Sequence, residues 1–118
     1  MNRVIEEKFT TITAQLDSSI INFETTGTPF GNQDRNSLKL FKIKDKILNV
    51  KSFKIPNIVN QIAYRFFRKS KAQRSFEYAN ELLKLEIGTP QPIAYYEFKT
   101  PLLFKQSYYI SEQLECDI

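Results

Sequence analysis

Between Lys51 and Arg74 the sequence carries seven cations (Lys51, Lys54, Arg65, Arg68, Lys69, Lys71 and Arg74) and no Asp or Glu. The chain's formal net charge is +4, so this segment's +7 leaves −3 for the remainder. Ammonium and guanidinium groups at this density attract polyanions, and phosphate groups, anionic lipid and nucleic acid are the classes they suit. Arg65, Arg68, Lys69, Lys71 and Arg74 form the candidate contact surface for an anionic membrane. The commoner fate of such a run is a solvated helix face. Tyr64, Phe66 and Phe67 alternate with the arginines, as in many nucleic-acid binders. Their spacing is that of a helix core, however, which disfavours nucleic acid as the partner.

The residues that are missing bound the chemistry further. There is no histidine. Ser-His-Asp and Cys-His catalysis are therefore excluded, as are histidine-based metal sites. The one cysteine, Cys116, can close no internal disulfide and offers no zinc pattern, so a reducing compartment is expected. The N-terminal stretch Met1–Lys8 lacks the apolar core of a signal peptide. No apolar run approaches the roughly 20 residues of a membrane span. With 118 residues, 42% of them hydrophobic, the chain has the material for one packed domain.

The elements that must position these groups are legible from periodicity. Phe9, Ile12, Leu16 and Ile20 make one apolar stripe, predicting a helix over 6–21 that ends at Thr25-Thr26-Gly27-Thr28-Pro29. Two strand-like runs, 38–43 and 47–53, flank the polar turn Lys44-Asp45-Lys46. Phe30 to Gln33 reads as another strand, with Asp34-Arg35-Asn36-Ser37 as its turn. Pro56 opens a second helix whose apolar face is Ile58, Val59, Ile62, Phe66 and Phe67. Ser70 with Gln73 three residues on predicts a capping box and a third helix. Its apolar face is Ala72, Phe76, Ala79, Leu82 and Leu83, and Gly88-Thr89-Pro90-Gln91-Pro92 closes it. Strands at 93–98 and 107–111 complete an α+β arrangement.

These runs resemble, in order, the small lobe of a protein-kinase-like fold. Ile47-Leu48-Asn49-Val50-Lys51 resembles the third kinase strand, and Lys71 to Ala79 resembles the helix that follows it. Gly88-Thr89-Pro90-Gln91-Pro92-Ile93 resembles the entry to the fourth strand of the lipopolysaccharide (Kdo) kinase family. Ser107-Tyr108-Tyr109-Ile110-Ser111-Glu112 resembles that family's fifth strand and hinge. The resemblance covers the chain from about Phe30 onward. It implies an antiparallel five-stranded twisted sheet with a packed C-helix, plus extra helices at the N-terminus and before the C-helix. It divides the chain into a helical extension (1–24), a sheet with helices (28–111) and a hinge remnant (112–118).

The same resemblance implies residue roles. Lys51 would meet the phosphates of ATP, and Glu77 would pair with Lys51, with Glu81 one turn on as its competitor. Glu112, Gln113 and Leu114 would read adenine through their backbones. Arg35 and Asn36 stand where a glycine-rich phosphate loop is expected, with Asp34 beside them. From spacing alone Lys51 is an exposed strand lysine and Glu77 a solvated acid. ATP with magnesium is the implied cofactor pair, although the catalytic-loop and metal-binding Asp belong to a second lobe beyond Ile118. The resemblance therefore implies a cytoplasmic ATP-binding lobe, at the inner membrane face, of a lipopolysaccharide core sugar kinase, inactive alone. Its expected partners are nucleotide, a lipopolysaccharide precursor or anionic membrane, and the C-terminal lobe or a second copy. The alternative is a non-catalytic basic module binding a membrane surface or a protein.

Overall fold

The computed structural model describes residues 2–29, 37–43 and 46–113. Among these, six strands form one antiparallel sheet: β1 (Asn2–Ile5), β2 (Thr28–Pro29), β3 (Ser37–Ile43), β4 (Lys46–Phe53), β5 (Pro92–Lys99) and β6 (Phe104–Glu112). Their spatial order is β1-β5-β6-β4-β3-β2. Three α-helices accompany them: α1 (Thr13–Ile21), entered through a 3₁₀ segment at Glu7–Ile12, α2 (Ile58–Phe66) and α3 (Lys71–Lys84).

The α+β arrangement is as expected, but the sheet has six strands where five were expected. Asn2–Ile5, placed by the sequence in a helical extension, is an edge strand paired to β5. The β-branched Val4 and Ile5 suit that role, and the pairing is fastened by side chains. The Arg3 guanidinium lies 3.1 Å from Asp17 of α1, and Asp17 accepts the Tyr96 hydroxyl at 2.6 Å. The two-residue β2 is the other unexpected strand. The strand expected over Phe30–Gln33, the Asp34–Asn36 turn, and Lys44 and Asp45 lie outside the described residues.

The sheet has two faces. On one, Leu48, Val50, Ala94, Tyr96, Tyr108 and Ile110 pack under Phe9, Ile12, Leu16, Ile20 and Phe23. This is the stripe the sequence predicts, and each such side chain contributes roughly 1.5–3 kcal/mol on full burial. Gly27 supports this layer. Its φ is +82°, and a Cβ there would come within 2.6 Å of the Phe41 ring, so both backbone and space require glycine. On the other face α3 lays Ala72, Phe76 and Ala79 against the sheet, with Phe76 edge-on to Tyr95 at 5.3 Å.

Helix ends follow local chemistry. The Asn57 side chain caps α2 by accepting from the Asn60 amide at 2.9 Å. Ser70 caps α3 by accepting from the Gln73 amide at 3.0 Å. The reciprocal half of the expected capping box is absent, because the Gln73 side chain turns to Glu77 instead. At its other end α3 stops before Gly88, as expected, with Lys84 its last residue. Glu86 takes a left-handed conformation (φ 60°), the Glu86 amide donates to Leu83 O and the Ile87 amide to Leu82 O. This is a Schellman closure with a carboxylate residue in the position glycine prefers. Glu86→Gly should therefore raise unfolding free energy by about 1 kcal/mol, read as a higher denaturant midpoint at unchanged slope.

Candidate functional site

Lys51 sits on β4, opposite Leu38 of β3 and Tyr109 of β6. Tyr109 in turn pairs with Tyr95, whose ring meets Phe76 of α3. Directly paired residues share a sheet face, so Lys51 emerges on the α3 side. Its ammonium lies 5.1 Å above the Phe53 ring centroid, and no ion pair with a carboxylate holds it among the described residues. A half-buried cation on an aromatic shelf, without a fixed counter-charge, can receive an external anion.

Glu77 is not joined to Lys51. Its carboxylate takes Lys69 at 2.8 Å and the Gln73 amide at 2.9 Å. The Lys69 hydrogen bond is the main cause of a Glu77 pKa below the usual carboxylate value. The competitor Glu81 is exposed and likewise makes no ion pair with Lys51. Along the sheet α3 rests over β5, through Phe76 on Tyr95, with β6 lying between β5 and β4. That offset accounts for the separation.

Register brings Lys51 and the expected hinge to one stretch of sheet. Glu112 pairs with Leu48, three residues along β4 from Lys51, a separation of about 10 Å. The Glu112 carboxylate meets Lys46 at 3.3 Å. Its amide donates to Gln91 O, and the Gln113 amide donates to Ile47 O, each at 2.9 Å. Both N–H groups are thus used within the sheet. Leu114, Arg35 and Asn36 lie outside the described residues.

A buried carboxylate on this face was not singled out from the sequence. Glu97 of β5 is 5% exposed. It accepts the Ser70 hydroxyl at 2.5 Å and lies 3.2 Å from the Lys99 ammonium. The signal was there: in the run Tyr95-Tyr96-Glu97, alternation places Glu97 on the same face as Tyr95. Beside it a cavity of about 210 Å³ opens between the α2 entry and the start of α3, lined by Phe53, Lys54, Asn60, Tyr64, Ser70 and Lys71. Phe53 thus lies both under Lys51 and in this cavity wall.

The strand tyrosines carry a measurable consequence. Burial raises the hydroxyls of Tyr95, Tyr96 and Tyr108 above the ordinary value and pushes Tyr109 up to about 12. The folded state thus prefers the neutral phenol. The associated stability is complete below the unfolded value of about 10 and is lost as pH rises through the folded values. Alkaline titration by phenolate absorbance should show these four ionising late, with unfolding setting in between about pH 10 and 12. Ionisation of all six tyrosines near pH 10 without unfolding would contradict this packing.

The basic residues Arg65, Arg68, Lys69, Lys71 and Arg74 surround the α2–α3 junction. Arg65 Nε donates to Thr100 O at 2.9 Å, and the Arg68 guanidinium lies 4.9 Å over the Tyr64 ring. No helix among the described residues is long and apolar enough to cross a membrane.

No protein-family model and no curated protein matches the chain. Among solved structures it is similar to WaaP, determined in complex with acyl carrier protein, with a TM-score of 0.62 and 15% sequence identity. The likeness covers 98% of this chain and 42% of that one, so the chain spans less than half of its structural neighbour's length. At that identity the likeness is one of fold.

Proposed function

We propose that this chain is the ATP-binding lobe of a lipopolysaccharide core sugar kinase-like phosphotransferase. The observation that carries the reading is the placement of Lys51. It stands on an inner strand, on the face covered by α3, about 10 Å along the sheet from the Glu112 end of β6. The fold likeness to WaaP, over nearly the whole chain, supports the same assignment.

In this reading Lys51 holds the phosphates as a point charge, with Phe53 beneath it limiting its freedom. Adenine docks against the end of β6. Because the Glu112 and Gln113 amides are engaged in the sheet, the Leu114 backbone is the hinge group left to donate to the base, and Arg35 and Asn36 are the phosphate contacts assigned by the resemblance; all three lie outside the described residues. Glu77 reaches Lys51 only by leaving Lys69. Among the described residues no group of three or more Cys, Asp or Glu side chains is arranged to hold a metal, so magnesium would come with the nucleotide's own phosphates. ATP supplies the transferable phosphoryl group.

Supplying a kinase-like second lobe in trans should restore phosphotransfer to a lipopolysaccharide core acceptor, and that activity should depend on Lys51. Activity unchanged in Lys51→Ala would remove the assigned role.

A further inference from the structure

The second helix is seated the opposite way from what its sequence pattern suggests. It buries Gln61 and lays Tyr64 on Phe104 at 5.8 Å between ring centroids. The apolar stripe Ile58, Val59, Ile62 and Phe66 faces solvent, and Phe67 beyond it is 83% exposed. The Arg65 bond to Thr100 O fastens α2 to the β5–β6 loop, whose Leu102 is 68% exposed. Ile62, Phe66, Pro101 and Leu102 thereby line one apolar groove of about 460 Å³.

Cations flank α2 along the chain. Lys54 precedes α2, and Arg68, Lys69 and Lys71 follow it. Of the nearby carboxylates, Glu77 is taken by Lys69 and Glu97 is buried with Ser70 and Lys99. Lys54, Arg65, Arg68 and Lys71 make no ion pair among the described residues. The groove also lies at the Phe104 end of β6, while the Glu112 end is eight residues further along the strand, about 27 Å away. It is therefore separate from the stretch proposed for nucleotide.

We propose that α2 and the β5–β6 loop dock this protein on an anionic lipid bilayer surface. An amphipathic helix with protruding aliphatic and aromatic side chains and a cationic margin is the form that lies in a membrane interface. The side chains protrude from two elements tied together, and the acyl boundary accepts them without a matched shape. A second copy is disfavoured as the occupant, because two acid-free segments of +7 would face each other.

The test is sedimentation with vesicles of phosphatidylglycerol and phosphatidylcholine, against phosphatidylcholine alone, at low and high salt. Wild type should bind the anionic vesicles and lose them steeply as salt rises. Phe67→Ser with Leu102→Ser should weaken binding roughly tenfold, and Arg68→Glu with Lys71→Glu by about tenfold or more. All four positions are exposed, and unchanged thermal melts verify that the variants fold. The proposal is overturned by absence of binding to anionic vesicles at low salt, by equal binding to neutral ones, or by unchanged affinity in the Phe67/Leu102 variant. It is also overturned if light scattering finds a dimer that this variant dissolves, which would assign the groove to a second copy.

Discussion

Replacing Ser70 with alanine should lower the unfolding free energy by about 3 kcal/mol, a large share of the total for a domain of this size. One hydroxyl performs two tasks. It accepts from the Gln73 amide at the start of α3 and donates to the buried Glu97 carboxylate. Loss of an N-cap costs about 1 kcal/mol, and loss of a hydrogen bond to a charged group about 1.5–3. After the change Glu97 keeps its ion pair with Lys99 among the described residues. Ser70→Thr retains a hydroxyl and should lose less than half as much. Urea denaturation measures both, and a loss below about 1 kcal/mol for alanine would mean that Glu97 recovers its hydration by local opening.

The second large effect concerns ligand rather than fold. Lys51→Ala should weaken nucleotide binding by roughly ten- to a hundredfold, the range of one charge-assisted contact. Stability should barely move, since Lys51 makes no ion pair with a carboxylate among the described residues and contributes only its position over Phe53. Lys69→Ala offers a contrast. It frees Glu77 from its ion pair and should leave the Lys51 site intact.

Much of this architecture was legible in the chain. Phe9, Ile12, Leu16 and Ile20 named their own buried face, and Ser70 with Gln73 named the start of α3. Periodicity worked there because burial and spacing coincide. It failed at α2, where the apolar stripe is real but faces outward. A stripe records that a helix has an apolar side, not which surface will cover it. It failed again at Asn2–Ile5, since four residues are too few for periodicity and the strand is specified by tertiary partners, Asp17 and Tyr96. In the candidate site, Lys51 could be placed on its strand by pattern. The Glu77–Lys51 pair could not be judged that way. Lys69, eight residues before Glu77, reaches the carboxylate first, and helix spacing alone gives no view of how α3 is offset across β5.

The nucleotide reading is tested most directly by following backbone amide shifts while Mg-ATP is added to the wild-type chain and to Lys51→Ala. In wild type the account predicts saturable shifts at β4 around Lys51, at Arg35 and Asn36, and from Glu112 to Leu114. In the alanine variant those shifts should be lost over the same concentrations. Absence of shifts in wild type at about millimolar nucleotide, where even a weak specific site fills, would contradict it, as would identical shifts in both proteins.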